Sequence, residues 1–240
     1  MKRDSIAIPA AIVIAAALIA GAIYFNGSRP VADTGTNPLA NNTPTAVPLR
    51  HADATDHVRG NPNAPIMLIE YSDYECPYCK LFHETLQRIM TEYGPSGKVA
   101  WTYRHLPIQQ LHPNAAKIAE ASECVAQNGG DFWKFSDSIF GGREIKETTN
   151  MSKLSEYAVA AGANKTQFDT CLASGNNAEK VTASINEFIG VSGGKIGTPH
   201  TFVVVGDQSI PIEGAQPYDV VKQMIDSLIS QMEGAPTAAQ

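Results

Sequence analysis

Ile66-Met67-Leu68-Ile69-Glu70-Tyr71-Ser72-Asp73-Tyr74-Glu75-Cys76-Pro77-Tyr78-Cys79 carries an apolar run into two cysteines separated by two residues. The run reads as a buried strand. Beyond the cysteines, Leu81, Phe82, Leu86, Ile89 and Met90 recur at helical spacing. A Cys-x-x-Cys at such a junction puts its first sulfur over the positive end of a helix dipole. There a thiolate is stabilised and its pKa falls below the free value of about 8.5. Pro77 fits the first helical turn, where its missing N–H is no loss. The competing reading is half of a zinc site, which needs a second pair at ligand spacing. Cys124 and Cys171 stand far apart and alone, so redox chemistry is favoured.

Outward from this motif, Pro65 to Tyr71 is the first strand and Pro77 to Tyr93 the first helix. Gly94-Pro95-Ser96-Gly97 marks a turn, and Val99 to Arg104 alternates as a second strand. Strand, helix and parallel strand make one βαβ unit. Helices are expected at 114–127, 132–140, 154–161, 167–173 and 178–189, separated by glycines. Two strands, 201–205 and 209–213, follow around Gly206-Asp207-Gln208, and 218–232 closes as an amphipathic helix. The fold class is therefore α/β, with a block of helices inserted at about 111–192.

The amino terminus reads differently. Ile6 to Phe25 is an uncharged, Ala- and Ile-rich stretch of about the 20 residues that cross a bilayer. Lys2 and Arg3 precede it and only Arg29 follows closely, which keeps residues 1–5 cytoplasmic and sends the rest across. Ala20-Gly21-Ala22 offers a signal-peptidase site as the alternative. The apolar stretch outruns a usual signal core, so a retained transmembrane helix is expected. Either way the cysteines lie outside the cytoplasm, where disulfides persist. Residues 26–59 are rich in Pro, Thr, Asn and Asp without apolar period, and read as a disordered linker. The folded domain is expected over 60–232, with 233–240 a flexible tail.

The 240 residues suffice for one sizeable domain and its appendages. With 18 basic against 24 acidic residues the net charge is −6 and no basic run exists, which argues against a nucleic-acid partner.

Ala64-Pro65, the run Glu70 to Cys79, and Gly197-Thr198-Pro199 before the late strand occur in this order with helices between them. Together they resemble the DsbA-like thiol-disulfide oxidoreductases, a branch of the thioredoxin superfamily, over about Gly60 to Met232. The resemblance implies a thioredoxin-like fold with a helical insert. It implies Cys76 as the nucleophile that forms mixed disulfides and Cys79 as the resolving thiol. Pro199 would be cis, its loop beside the redox pair holding an extended client segment, and the Thr198 hydroxyl would be in reach of Cys76. Glu70 would be the buried acid beneath the pair, its pKa raised by desolvation, passing a proton to or from Cys79; an exposed, ordinary carboxylate is the alternative. Cys124 and Cys171 would form a structural disulfide, as in a number of DsbA-like proteins, with two buried free thiols as the alternative.

Other residues are read more plainly. Asp73 and Glu75 are expected on a solvated rim, opposing thiolate formation slightly. His200 either tunes the thiolate or faces away. His83, one turn beyond Cys79, is read as a surface residue, and His105 and His112 receive no role. A second function class stays open, in which Cys76, Cys79, His83 and His200 converge on copper or zinc. The expected function is a membrane-tethered, extracytoplasmic oxidoreductase, a monomer with no bound cofactor, acting on unfolded or reduced secreted and membrane proteins. A quinone-linked membrane reoxidase is an implied partner. Shuffling is disfavoured because the linker leaves no room for a dimerisation module. Pro77-Tyr78 stands where the DsbA prototype has Pro-His and matches glutaredoxins, whose potentials lie near −200 to −230 mV against about −120 mV for DsbA. A mild oxidant is expected, with a reductase of the same fold as the alternative.

Overall fold

A computed structural model of the chain describes residues 48–234. The expected anchor at 6–25, most of the linker after it, and residues 235–240 lie outside the described residues. Among the described residues no helix is long and apolar enough to cross a membrane.

The motif strand is the centre of the fold. β2 (Ile66–Ser72) is buried along all seven residues, as expected of a strand covered on both faces. Its side chains alternate. Ile66 and Leu68 join Phe82, Leu86 and Ile89 of α1 (Pro77–Tyr93) in one core. Met67, Ile69 and Tyr71 join Phe188 and Phe202 in a core on the other face. β3 (Val99–His105) returns parallel to β2, with Ile66 opposite Val99 and Ser72 opposite His105. β4 (His200–Val205) and β5 (Gln208–Glu213) complete the other side as antiparallel neighbours. α7 (Tyr218–Gly234) contributes Val221 and Ile225 to the α1 core.

Between β3 and β4 lie five helices: α2 (Ala115–Gln127), α3 (Phe132–Gly141), α4 (Leu154–Ala160), α5 (Lys165–Ser174) and α6 (Ala178–Val191). They build a third core from Ile118, Phe135, Ile139 and Phe168, which also takes in Tyr74, Cys76 and Cys79. The insert therefore shares its interior with the redox motif. Cys124 of α2 and Cys171 of α5 are disulfide-bonded, with S–S 2.01 Å and Cα atoms 5.8 Å apart. The Asn177 amide donates toward both sulfurs, at 3.2 and 3.4 Å.

The expected linker runs too far. Its last residues are built into the fold: β1 (His57–Gly60) pairs antiparallel with β3, giving the sheet order β1-β3-β2-β4-β5. Ion pairs add to that backbone pairing where no apolar periodicity marks the segment. Asp56 accepts from Arg50 at 2.8 Å and from Arg104 at 2.9 Å. Arg59 donates to Asp137 at 2.7 Å and lies over the Trp133 ring at 4.5 Å. A four-residue edge strand anchored by arginines leaves no hydrophobic pattern to read. Gly60 ends it at φ 102°, and a Cβ there would come within 2.8 Å of Met90 Cε.

Candidate active site

The loop joining β2 to α1 is held by carboxylates. Asp73 Oδ1 accepts the Glu75 N–H at 2.8 Å, and the Asp73 carbonyl accepts the Cys76 N–H at 3.1 Å. Asp73 Oδ2 accepts the Ile108 N–H at 2.8 Å and lies 2.9 Å from His112 Nδ1. Glu75 accepts the N–H groups of Asn114 and Thr149, at 3.1 and 3.2 Å. Both acids are buried. The expectation of a solvated rim is thus corrected: these carboxylates fasten the redox loop to the start of the insert. His112 has a place as well, as a donor to Asp73. His105, likewise left without a role, is buried 2.9 Å from Glu123.

Cys76 caps α1 in extended backbone conformation (φ −66°, ψ 126°), with Pro77 at the first helical position. Its sulfur is nearly buried and unbonded, as is the fully buried sulfur of Cys79. The two thiols have opposite proton affinities. The Cys76 thiol is lowered from 9.0 to about 6, chiefly by hydrogen bonding from the Cys79 thiol. The Thr198 side chain and the backbone N–H groups of Cys79 and Tyr78 add to this against the opposing effect of burial. Those amides are free donors of the first helical turn, so the helix start acts through identifiable groups. Cys79 is pushed well above its ordinary value by burial, then by the charge of Cys76 and of Glu70. The Asp73 N–H approaches the Cys79 sulfur at 3.4 Å.

Thr198 and Pro199 lie beside the pair, joined by a cis peptide bond. The Thr198 carbonyl accepts from the Cys76 thiol at 3.6 Å. The loop thus meets the sulfur through its backbone as well as the expected side chain. Tyr78 is 62% exposed.

Glu70 is completely buried on the α1 side of β2. Trp101 Nε1 donates to its Oε2 at 3.0 Å, while Oε1 has no partner among the described residues. Desolvation raises its pKa from 4.5 to about 7; the Cys76 charge adds to this, and Ser72 and Trp101 pull the other way. Folded Glu70 therefore holds a proton that the unfolded chain releases. That stabilisation is complete below about pH 4.5 and is lost as pH rises through 7, a change of about 3 kcal/mol by linkage. Glu70→Gln should flatten this loss, making the variant the more stable protein at pH 8 in urea unfolding. Equal pH dependence of the two proteins would exclude a buried, proton-binding Glu70.

The proposed convergence of histidines does not occur. His83 is buried, not exposed, with Nε2 2.8 Å from Asp137 and its ring 4.5 Å from Phe140. His200 sits on the far side of the sheet, between the rings of Phe188 and Phe202. Its register opposite Tyr71 puts it on the face away from α1. Among the described residues no group of three or more His, Cys, Asp or Glu is placed to hold a metal ion. One residue near the pair carried no signal in the sequence: Arg143, whose guanidinium reaches the carbonyls of Tyr74 and Cys76.

Residues 52–227 match the family described as thioredoxin. The structure is similar to that of alpha-DsbA1 from Wolbachia pipientis, with TM-score 0.63 and 23% identity over 75% of this chain and 94% of that one. It is similar to oxidised BdbD from Bacillus subtilis, with TM-score 0.65 and 22% identity, over 77% and 98% of the two chains. At such identities the likeness is one of fold, a thioredoxin-like fold of DsbA type. In sequence, 114 residues are 39% identical to a protein named Na(+)/H(+) antiporter NhaA 1 of Mycolicibacterium gilvum. This covers 48% of the present chain but only 18% of that protein, so the transport activity in its name is not carried over.

Proposed function

We propose that this chain, which belongs to the thioredoxin family, is an extracytoplasmic thiol-disulfide oxidoreductase that donates the Cys76–Cys79 disulfide to reduced secreted and membrane proteins. The observation that carries this reading is the placement of two free thiols, Cys76 at the start of α1 with its pKa lowered to about 6 and Cys79 fully buried with its pKa raised. A client thiolate attacks the Cys76 sulfur of the oxidised pair. The S–S electron pair passes to Cys79, which takes a proton; Glu70, the buried acid whose charge acts on Cys79, is the proposed donor. A second client thiolate then attacks the client sulfur of the mixed disulfide and expels the Cys76 thiolate. The client loses two electrons and two protons and gains a disulfide. The protein gains two electrons and one proton, leaving Cys76 anionic and Cys79 neutral. A low-pKa sulfur is the better leaving group in that last step.

The apolar stretch 6–25 supports a membrane tether, and the Cys124–Cys171 disulfide supports an oxidising compartment. Turnover then needs a second partner that removes two electrons from the reduced pair, for which a quinone-linked membrane reoxidase is the proposed class. The exposed Tyr78 adds no positive charge to the sulfur, consistent with an oxidant of moderate strength.

Direction is tested by melting the soluble domain in both redox states. A thiol whose folded pKa is depressed stabilises the reduced form fully above its ordinary value, and loses that contribution as pH falls through about 6. The reduced protein should therefore melt higher than the oxidised one at pH 8, and the difference should shrink toward pH 5. Selective alkylation of Cys76 should titrate near pH 6. A reduced form that melts lower throughout would make a thiol reductase the better account.

A further inference from the structure

Arg143 lies just beyond α3, in the insert, and is only 5% exposed. Its Nη2 donates to the carbonyls of Tyr74 and Cys76, at 2.9 and 3.1 Å, and its Nη1 to the carbonyl of Glu147 at 3.0 Å. Nε has no partner among the described residues. Every acceptor is thus a neutral carbonyl, an unusual setting for a buried cation, which is costly to hold without a counter-ion. Burial lowers its pKa, opposed by nearby negative charge, chiefly that of Glu75 and then of Cys76, with Asp73 also contributing. Glu75 and Asp73 spend their oxygens on the donors of Asn114, Thr149, Ile108 and His112. Those donors leave the carboxylate charges in place in both redox states, so the charge near Arg143 that changes on reduction is that of Cys76, whose own carbonyl the guanidinium holds.

We propose that Arg143 is a positioning residue for the redox pair, fixing the Tyr74 and Cys76 carbonyls and supplying the buried positive charge that favours the Cys76 thiolate over the disulfide. This rests on the oxidoreductase reading given above. Reduction of the pair takes two electrons and one proton and leaves one thiolate and one thiol, so a negative charge that the disulfide lacks is added near the Arg143 cation. In this buried setting the attraction is weakly screened. Losing the charge should penalise the reduced form more than the oxidised one, making the protein a weaker oxidant. The insert would thereby set the potential of a motif outside it.

The test compares Arg143→Gln, which keeps donors without charge, with Arg143→Lys, which keeps the charge. In Arg143→Gln, alkylation of Cys76 should titrate about one pH unit higher. Equilibrium with glutathione at pH 7 should shift about fivefold toward the disulfide, roughly 20 mV. Arg143→Lys should recover most of both shifts. If both variants melt lower yet keep the wild-type titration and equilibrium, Arg143 is structural only and the proposal falls. It falls too if Arg143→Lys shifts as far as Arg143→Gln. A readout free of any folding defect comes from the wild type: the Arg143 guanidinium 15N resonances should move with pH near the Cys76 midpoint in the reduced protein and not in the oxidised one. A flat profile in both overturns the proposal. Wild-type protein inert toward disulfides would remove the oxidoreductase reading, while the Cys76 titration would still decide the role of Arg143.

Discussion

Cys76→Ser should reduce disulfide exchange to the uncatalysed background, and Cys79→Ser should instead leave a long-lived mixed disulfide between Cys76 and its client. The asymmetry follows from the two environments. Cys76 stands at the start of α1, with the Thr198 carbonyl at 3.6 Å and a thiol lowered to about 6. Cys79 is fully buried, beneath the reach of a polypeptide client, and its thiol is raised by burial. Only the first can meet an incoming sulfur, and only the second can resolve the adduct from inside. A fluorescent dithiol peptide would report the rate, and non-reducing mass spectrometry the trapped adduct. Trapping on Cys79 in the Cys76→Ser variant, at a rate similar to the reverse case, would exchange the two assignments.

Removal of the second cysteine pair should act on stability and spare the chemistry. Cys124 and Cys171 are 47 residues apart in sequence. Closing a loop of that size stabilises by about 4 kcal/mol in the chain-entropy account. The double variant Cys124→Ala/Cys171→Ala should lose stability of that order in urea unfolding, leaving Asn177 without the two sulfurs it approaches. Exchange by Cys76 should stay nearly unchanged, because the bridge joins α2 to α5 and none of the hydrogen bonds made at Cys76 and Cys79 involves it. Exchange lost with stability preserved would make this pair a second redox relay.

Most of the scaffold is legible in the chain because its elements are written in local periodicity. β2 and α1 follow from an apolar run and an apolar stripe, and α1 spans Pro77–Tyr93 as the spacing predicts. The five insert helices and the β4–β5 pair fall within a few residues of their expected bounds. β1 is absent from that reading because its four residues, which pair with β3 through the backbone, are too few and too polar to show side-chain alternation.

The place of the Cys76–Cys79 pair, at the junction between an apolar strand and the helix that starts at Pro77, is likewise legible in the sequence alone. What surrounds the pair was decided by the tertiary structure. Asp73 and Glu75 look like solvent-facing acids until Ile108, His112, Asn114 and Thr149, all more than thirty residues away, supply their donors. Arg143 follows two glycines and belongs to no pattern, yet it folds back onto the carbonyls of Tyr74 and Cys76. His83 and His200, which spacing left free to converge on the sulfurs, turn to Asp137 and to the aromatic rings of the opposite face. A buried charge is defined by its partners. Those partners come from distant parts of the chain, so local sequence carries the helix and the thiol but not the charges that tune them.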